Sequence, residues 1–388
     1  MSMNRDDLIG VQGADLEARI PREQAEQRRD EALAHGLEAA SSVRDRTIPL
    51  FARGNSPRFA GLDTFLRVPY LDDLRELRGY DVAFVGEPLD TGTTYRPGSR
   101  FGPAGLRRIS ALASGYNLEL GVDLLESLRM VDIGDVHIIP GNLEKSFDQI
   151  TAAMSYIFAT GVFPVVLGGD HAIGYPNMRA IAPQIDGPVG IIHFDRHADT
   201  SETQMDERMH GTPWFHATNI PNAPPSNLVQ IGIGGWASNR GAITNSRERK
   251  TTIMGLSDVE RMGVDRAAEM ALEVAWHNAR AVYLSFDIDC VDPAYAPGTG
   301  TPEPGGFTPR EAFRFLELVA REGLCGLEVV EVSPPYDHAE ITSLLGGRVV
   351  MHALGSLVRA GKLGRYELQP TRLGTPGDAD DADDAIGG

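Results

Sequence analysis

Residues His193-Phe194-Asp195-Arg196-His197-Ala198-Asp199 set an Asp-x-His-x-Asp pattern at the end of an apolar run. Two similar clusters recur in the chain. Gly168-Gly169-Asp170-His171 follows Val165–Leu167, and Asp287-x-Asp289 follows Val282–Phe286. A lone Asp-x-Asp or Gly-Gly-Asp-His reads as a turn or a helix cap. Three clusters, each just past a strand-like segment, imply a site that needs many oxygen and nitrogen ligands. Carboxylate with imidazole suits Mn²⁺, Ni²⁺, Co²⁺ or Zn²⁺, and no cysteine is placed to serve as a thiolate ligand. The set His171, Asp195, His197, Asp199, Asp287 and Asp289 carries enough charge for two ions. Two ions about 3.5–4 Å apart can share a water and lower its pKa toward neutrality, which is hydrolytic chemistry.

The elements that must position these residues alternate along the chain. Strands are expected at Asp81–Val85, Met130–Ile133, Val162–Leu167, Val189–Phe194, Leu228–Ile233, Val282–Asp287 and Leu327–Val332. Helices are expected at 21–43, Pro103–Ala113, Phe147–Ala159, Tyr175–Ile185, Arg266–Asn278, Thr308–Glu322 and Ile341–Ala360. Short apolar strands alternating with helices predict an α/β fold with a mainly parallel sheet covered on both faces. Ligands bind such sheets beyond the carboxyl ends of the strands. The three clusters, Trp236 and Glu331 all fall there. The expected organisation is an N-terminal extension over 1–57, one catalytic domain over 58–365, and an acidic disordered tail over 366–388, which includes Asp378–Asp384.

The 388 residues are 42% hydrophobic, as in globular proteins. No uncharged apolar segment approaches the ~18–20 residues that cross a bilayer. The polar residues Met1–Gly13 lack the core of a signal peptide, so a cytoplasmic protein is expected. A formal charge of −18 argues against nucleic acid and anionic membranes as partners, and it suits a cationic substrate. The two cysteines, Cys290 and Cys325, read as buried thiols rather than a disulfide.

The motifs Gly168-Gly-Asp-His171, Phe194-Asp-x-His-x-Asp199 and Ser285-Phe-Asp-x-Asp-x-x-Asp-Pro293 resemble those of the ureohydrolases, the arginase and agmatinase family. So do Ala296-Pro-Gly-Thr-Gly-Thr-Pro302, Tyr95-Arg-Pro-Gly-Ser-Arg-Phe-Gly-Pro103, His210-Gly211 and Glu331-Val-Ser-Pro334. The resemblance covers about residues 58 to 362 and implies a three-layer α/β/α sandwich with a binuclear metal centre. It implies that His171, Asp195, Asp199 and Asp287 hold one ion and that Asp195, His197, Asp287 and Asp289 hold the other. It also implies that His210 shuttles protons, that Glu331 meets a small cationic guanidino substrate, and that Asp199 donates a proton to the leaving amine. Homo-oligomers, trimers or hexamers, are expected by the same resemblance, with accessory proteins for metal insertion an open point.

Three departures bear on the substrate. Arg196 stands where a small residue is usual, and is expected to face away from the metals in a structural ion pair. Gly232-Ile-Gly-Gly-Trp236 replaces a Gly-Ile-Arg-Gly pattern, and the N-terminal extension is long. These features resemble the nickel-dependent guanidine hydrolase branch. On that reading two Ni²⁺ ions (Mn²⁺ as the alternative) serve hydrolysis of free guanidine to urea and ammonia. Trp236 would wall the pocket, and His216 would line it. Agmatinase or guanidinobutyrase activity, hydrolysis of alkylated biguanides such as metformin, and a silent partner subunit are the competing readings. His193 is expected on the opposite sheet face from Asp195's neighbours or in the core, not as a ligand. His338 and His352 have no partner pattern.

Overall fold

The computed structural model describes residues 58–236 and 238–364, Ala34, and the backbone of 38–41 and 47–49. Contacts divide the chain into two units, 1–62 and 63–388. In the first, Glu38–Ser41 pairs antiparallel with Thr47–Pro49. A helix running to residue 43 is therefore corrected, because 38–41 is extended. The rest of that expected helix, apart from Ala34, and the expected acidic tail from 366 onward lie outside the described residues.

The second unit is built on an eight-stranded sheet. Its strands are β1 (Val82–Glu87), β2 (Met130–Asp135), β3 (Phe163–Gly168), β4 (Val189–Phe194), β5 (Leu228–Ile233), β6 (Thr252–Gly255), β7 (Ala281–Asp287) and β8 (Gly326–Val330). Their order is β6-β5-β4-β7-β8-β3-β1-β2, and every pairing is parallel. The longer helices are α1 (Gly102–Ser110), α2 (Leu143–Ala159), α3 (Gly174–Ile181), α4 (Arg240–Arg249), α5 (Leu256–Met262), α6 (Val264–Ala275), α7 (Pro309–Ala320) and α8 (Ile341–Arg359).

Side-chain alternation along the strands makes two cores. Phe84, Val165, Leu167, Ile192, Phe194, Leu284, Phe286, Leu327 and Val329 pack under α1, α6, α7 and α8. Ala83, Val85, Val166, Val189, Ile191 and Tyr283 pack under α2 and α3. The expected three layers follow from this alternation. Local signals start the helices. Asn142 caps α2 by accepting from Lys145 N, and Thr308 and Glu311 form a capping box on α7 with Pro309 in its first turn. The segment from α4 to α5, with edge strand β6, has no counterpart in the sequence reading. Arg240–Arg249 is mostly polar, so its apolar periodicity is faint. By length and composition α8, together with the turn before it, could span a membrane. Most of it is buried, however, and it packs against α7 and α1.

The sheet order also sets where a site can form. From β4 the chain proceeds outward to β5, whereas from β7 it proceeds to β8 on the other side. The four middle strands, β4, β7, β8 and β3, therefore flank the crevice that such a reversal opens at their carboxyl ends.

Candidate metal centre and its cavity

Each of those four strands delivers a polar group to its carboxyl end. β3 leads through Gly169 and Asp170 to His171. Gly169 packs so tightly that a Cβ would sit 1.9 Å from the Leu89 carbonyl, and Asp170 caps the turn by accepting from Ala172 N. β4 leads to Asp195, His197 and Asp199, β7 ends at Asp287 and leads to Asp289, and β8 leads to Glu331. Asp199 and Glu331 hold left-handed backbones, with φ of 48° and 61°. Glu rarely adopts that region, and the cost is on the order of 1–3 kcal/mol, met by the surrounding structure.

The six residues singled out as ligands converge. His171 Nδ1 lies 3.1 Å from Asp195 Oδ2, 3.2 Å from Asp199 Oδ2 and 3.0 Å from Asp287 Oδ2. His197 Nδ1 lies 3.0 Å from Asp289 Oδ2 and 3.3 Å from Asp195 Oδ1. Backbone amides hold the other oxygens: Asp289 N donates to Asp287 Oδ1 at 2.8 Å, and His197 N donates to Asp195 Oδ1 at 2.6 Å. His171 Nδ1 is buried among three carboxylates yet has no hydrogen-bond partner. That orphaned nitrogen and the ring of carboxylate oxygens fit divalent cations.

The electrostatics agree. Burial, then the charges of Asp289 and Asp195, push the Asp287 carboxyl well up. Burial and Asp195 raise Asp199, and burial moves Asp289 to about 6 against the pull of His197. Asp195 goes the other way. Burial opposes its charge, but the neighbouring imidazoles of His171, His193 and His197 hold it well below the usual range. Four buried carboxylates this close need more positive charge than two imidazoles supply.

His193 is fully buried, which is the core placement expected of it. As residue i−2 of Asp195 it projects to the same face of the chain as Asp195. Its Nε2 lies 2.8 Å from Asp195 Oδ2. Gln230 Nε2 donates to its Nδ1 at 3.2 Å while Ser246 Oγ donates to Gln230 Oε1, so the His193 proton is on Nε2. His193 therefore orients Asp195 rather than offering a lone pair.

Beside the cluster, His210 and Glu331 form a pair. His210 Nδ1 lies 2.9 Å from Glu331 Oε1, which also accepts from His171 N at 3.0 Å. Burial lowers the His210 pKa, but the hydrogen bond and charge of Glu331 outweigh it and bring the ring to about 9. Glu331 is held below its ordinary value, because those same partners outweigh burial. On the far side of the His210 ring, Nε2 lies 2.7 Å from Thr94 Oγ1 and 3.2 Å from Thr94 N. With Nδ1–H fixed on Glu331, Nε2 is the atom where a proton can come and go.

A cavity of about 440 Å³ opens over this edge. His197, Asp199, Asp287, His210 and Glu331 form its inner end, and Tyr95, Arg96, Gln204, Ser238, Asn239 and Pro302 line the rest. Sequence reasoning did not single out Arg96 or Thr94. Arg96 lies in the motif Tyr95–Pro103 and Thr94 just before it, and that motif carried the family resemblance without giving either residue a role.

Two expected pocket residues are not in this lining. Trp236 is 98% exposed: the chain turns at Gly235, whose φ of 71° directs the following residue outward. His216 packs against Tyr175 and Phe215, with Nε2 2.7 Å from the Glu207 carbonyl. It sits on the short helix Pro213–Ala217, where Trp214, two residues earlier, takes the inward direction against His171 and His193. Two residues of helix turn the side chain by about 200°, and so away from the site. Arg196 does face away from the cluster, but carbonyls hold it rather than a carboxylate. Its Nη1 donates to Gly232 O at 2.6 Å and its Nη2 to Pro304 O at 3.1 Å. Both cysteines are free, with Cys290 buried and Cys325 half-buried.

Comparison with known proteins converges with this geometry. The arginase family model matches residues 80–355. The guanidinobutyrase of Pseudomonas aeruginosa is 38% identical over 300 residues, covering 77% of this chain and 93% of that protein. The solved proclavaminate amidinohydrolase of Streptomyces clavuligerus superimposes with a TM-score of 0.73 at 36% identity, over 79% of this chain and 100% of that one. A Trypanosoma cruzi formiminoglutamase variant, solved with Mn²⁺, matches with a TM-score of 0.67 at 26% identity, over 72% and 94%.

Proposed function

The chain belongs to the arginase family, as a hydrolase acting on guanidino compounds, and from that premise we propose that its substrate is a guanidino acid of the 4-guanidinobutyrate kind. The cavity carries this reading. Free guanidine has four heavy atoms, whereas about 440 Å³ is the size of a site for a larger ligand. Among the described residues, the lining beyond the inner end holds one fixed cation and no carboxylate. Arg96 donates from Nε to Gly300 O at 2.9 Å and from Nη2 to Thr299 O at 3.1 Å, and its guanidinium lies over the Tyr336 ring. Those contacts fix the side chain and leave Nη1 as a donor for a substrate carboxylate. An amine tail, as in agmatine, would meet no counter-charge there. Free guanidine loses its main support, because Trp236 stands outside the lining. The similarity to guanidinobutyrase supports the same choice.

In this reading His171, Asp195, Asp199 and Asp287 hold one ion, and Asp195, His197, Asp287 and Asp289 the other. The relative with Mn²⁺ supports manganese, and no feature of the site singles out nickel. Two such ions supply a water acidified toward neutral pH, and the protein does the rest. Glu331, anionic and with Oε2 free of the bonds that hold Oε1, pairs with the guanidinium and orients its carbon. Water adds to that carbon, a C–N bond breaks, and urea and an amine leave. Asp199 stands at the leaving nitrogen, and His210 exchanges the proton at Nε2 with solvent through Thr94.

The test is urea released from 4-guanidinobutyrate, guanidine, agmatine, arginine and metformin in parallel with Mn²⁺-loaded protein. The expected result is the largest kcat/KM on 4-guanidinobutyrate. Faster turnover of guanidine or agmatine overturns the choice of substrate. Arg96→Met should cost 4-guanidinobutyrate about 10- to 100-fold, the worth of a hydrogen bond to a charged group, and leave guanidine unchanged.

A further inference from the structure

Beneath the metal-holding edge lies a second set of buried acids that the chemistry above does not use. Glu87, Asn177, Tyr283, Ser285 and Glu328 are all fully buried. Ser285 and Glu328 are register partners on the adjacent strands β7 and β8, Tyr283 is two residues before Ser285, Glu87 ends β1, and Asn177 is on α3. Glu328 is surrounded by donors. Tyr283 Oη donates to its Oε2 at 2.9 Å, Asn177 Nδ2 to the same oxygen at 2.9 Å, and Ser285 Oγ to its Oε1 at 2.7 Å. Asn177 Nδ2 also donates to Glu87 Oε2 at 3.2 Å. Burial first, and then the charge of Glu328, push the Glu87 carboxyl well up.

The proton positions in this network are fixed by counting donors. A serine hydroxyl has one proton, and Ser285 gives it to Glu328. Towards His171 Nε2, 2.9 Å away, Ser285 Oγ can then only accept. The His171 ring must therefore carry a proton on Nε2, so that in the neutral ring a cation would meet, Nδ1 is the nitrogen with the lone pair. Nδ1 is the atom aimed at Asp195, Asp199 and Asp287, without a hydrogen-bond partner. Had Ser285 no strong acceptor behind it, the same ring could place its proton on Nδ1 and bond to those carboxylates instead, closing the ligand position.

We infer that Glu328 is a positioning residue for metal binding: through Ser285 it selects the His171 tautomer that presents Nδ1 to a cation, with Tyr283 and Asn177 holding Glu328 in place. A ligand histidine whose other nitrogen is bonded to a carboxylate or carbonyl is a recurring device, and losing such a partner weakens metal binding by about 10- to 100-fold. Here the carboxylate acts at one remove, through a hydroxyl on the neighbouring strand. The inference rests on His171 being a metal ligand.

The test is stepwise Mn²⁺ affinity, by titration calorimetry on the full chain, for wild type, Glu328→Gln, Ser285→Ala and the double variant, with the thermal midpoint of each metal-free protein measured alongside. Two ions should bind wild type. Each single variant should weaken one of them about 10- to 100-fold and leave the other within about threefold. The double variant should be no weaker than the worse single, because both substitutions cut the same line. If wild type binds no metal, the reading of His171 fails. If wild type binds two ions and the folded variants bind both as tightly, or if the losses from the two single variants add, the role of Glu328 is refuted while the metal reading stands. Should Glu328→Gln not fold, Ser285→Ala alone decides, since unchanged affinity in that variant breaks the line.

Discussion

Two buried acidic clusters are stacked along the same central strands, and their partners differ. In the lower one, Glu328 is met by Tyr283, Asn177 and Ser285, three neutral donors directed at its two oxygens. In the upper one, backbone amides hold one oxygen each of Asp195, Asp287 and Asp289, His193 donates to the other oxygen of Asp195, and the carboxylates otherwise turn toward one another and toward the ring nitrogens of His171 and His197. Neutral donors can satisfy a buried carboxylate where it stands. A set of acceptors facing acceptors is stable only around added positive charge. Burial is common to both clusters, so the partner type, not burial, identifies the upper one as the place for cations. The upper cluster is also where the backbone is strained, at Asp199 and Glu331.

Substitutions should separate the two clusters by size and kind of effect. Asp287→Ala removes a carboxylate assigned to both ions. It should lower kcat/KM for the best guanidino substrate by about 10³-fold or more, measured as urea release. Retained turnover would mean that the cluster is not the reaction centre. Glu331→Gln leaves the ligands in place but removes the charge opposite the guanidinium. The expected loss is about 2–5 kcal/mol of transition-state binding, with metal stoichiometry unchanged, and loss of metal instead would place Glu331 among the ligands.

The His210–Glu331 pair should also appear in stability against pH. The folded pKa of His210 is raised from 6.5 to about 9. Its contribution is then fully present below pH 6.5 and is lost as pH rises through 9. Urea unfolding at pH 6.5 and pH 9 should show a decline in wild type that is smaller in His210→Gln. Equal declines in the two proteins would show that the pair does not hold the proton. The smallest effect is expected at Trp236. It is exposed and outside the cavity lining, so Trp236→Ala should change kcat/KM for guanidine and for 4-guanidinobutyrate by less than about twofold. A selective loss on guanidine would return Trp236 to the pocket.

Much of this arrangement was legible in the sequence, for physical reasons. The four middle strands of the sheet are short apolar runs that lead into acidic or histidine residues, and in a parallel sheet those ends meet. His171, Asp195, His197, Asp199, Asp287 and Asp289 were therefore found from strand ends and side-chain chemistry, and the family motifs added His210 and Glu331. What failed was direction. Whether Trp236 and His216 point inward depends on one left-handed glycine and on a helix rotation, neither of which is written in residue type. His193 lies in the core as expected, but its bond to Asp195 was not foreseen, although the i, i+2 relation put both on one face. Glu328 was passed over inside the apolar stretch Gly326-Leu-Glu-Val-Val-Glu331, where a lone carboxylate among buried neighbours was itself the signal. Strand β6 and helix α4 were missed because short edge elements with polar faces leave little periodicity.

The contrast between the clusters is tested most directly by counting ions. Wild-type protein equilibrated with Mn²⁺, freed of excess and analysed by mass spectrometry of the metal content, should hold two ions per chain. Asp195→Asn should hold fewer while remaining folded. A folded wild-type protein that retains none, or an Asp195→Asn variant that still retains two, would contradict the assignment of the upper cluster as a two-ion centre.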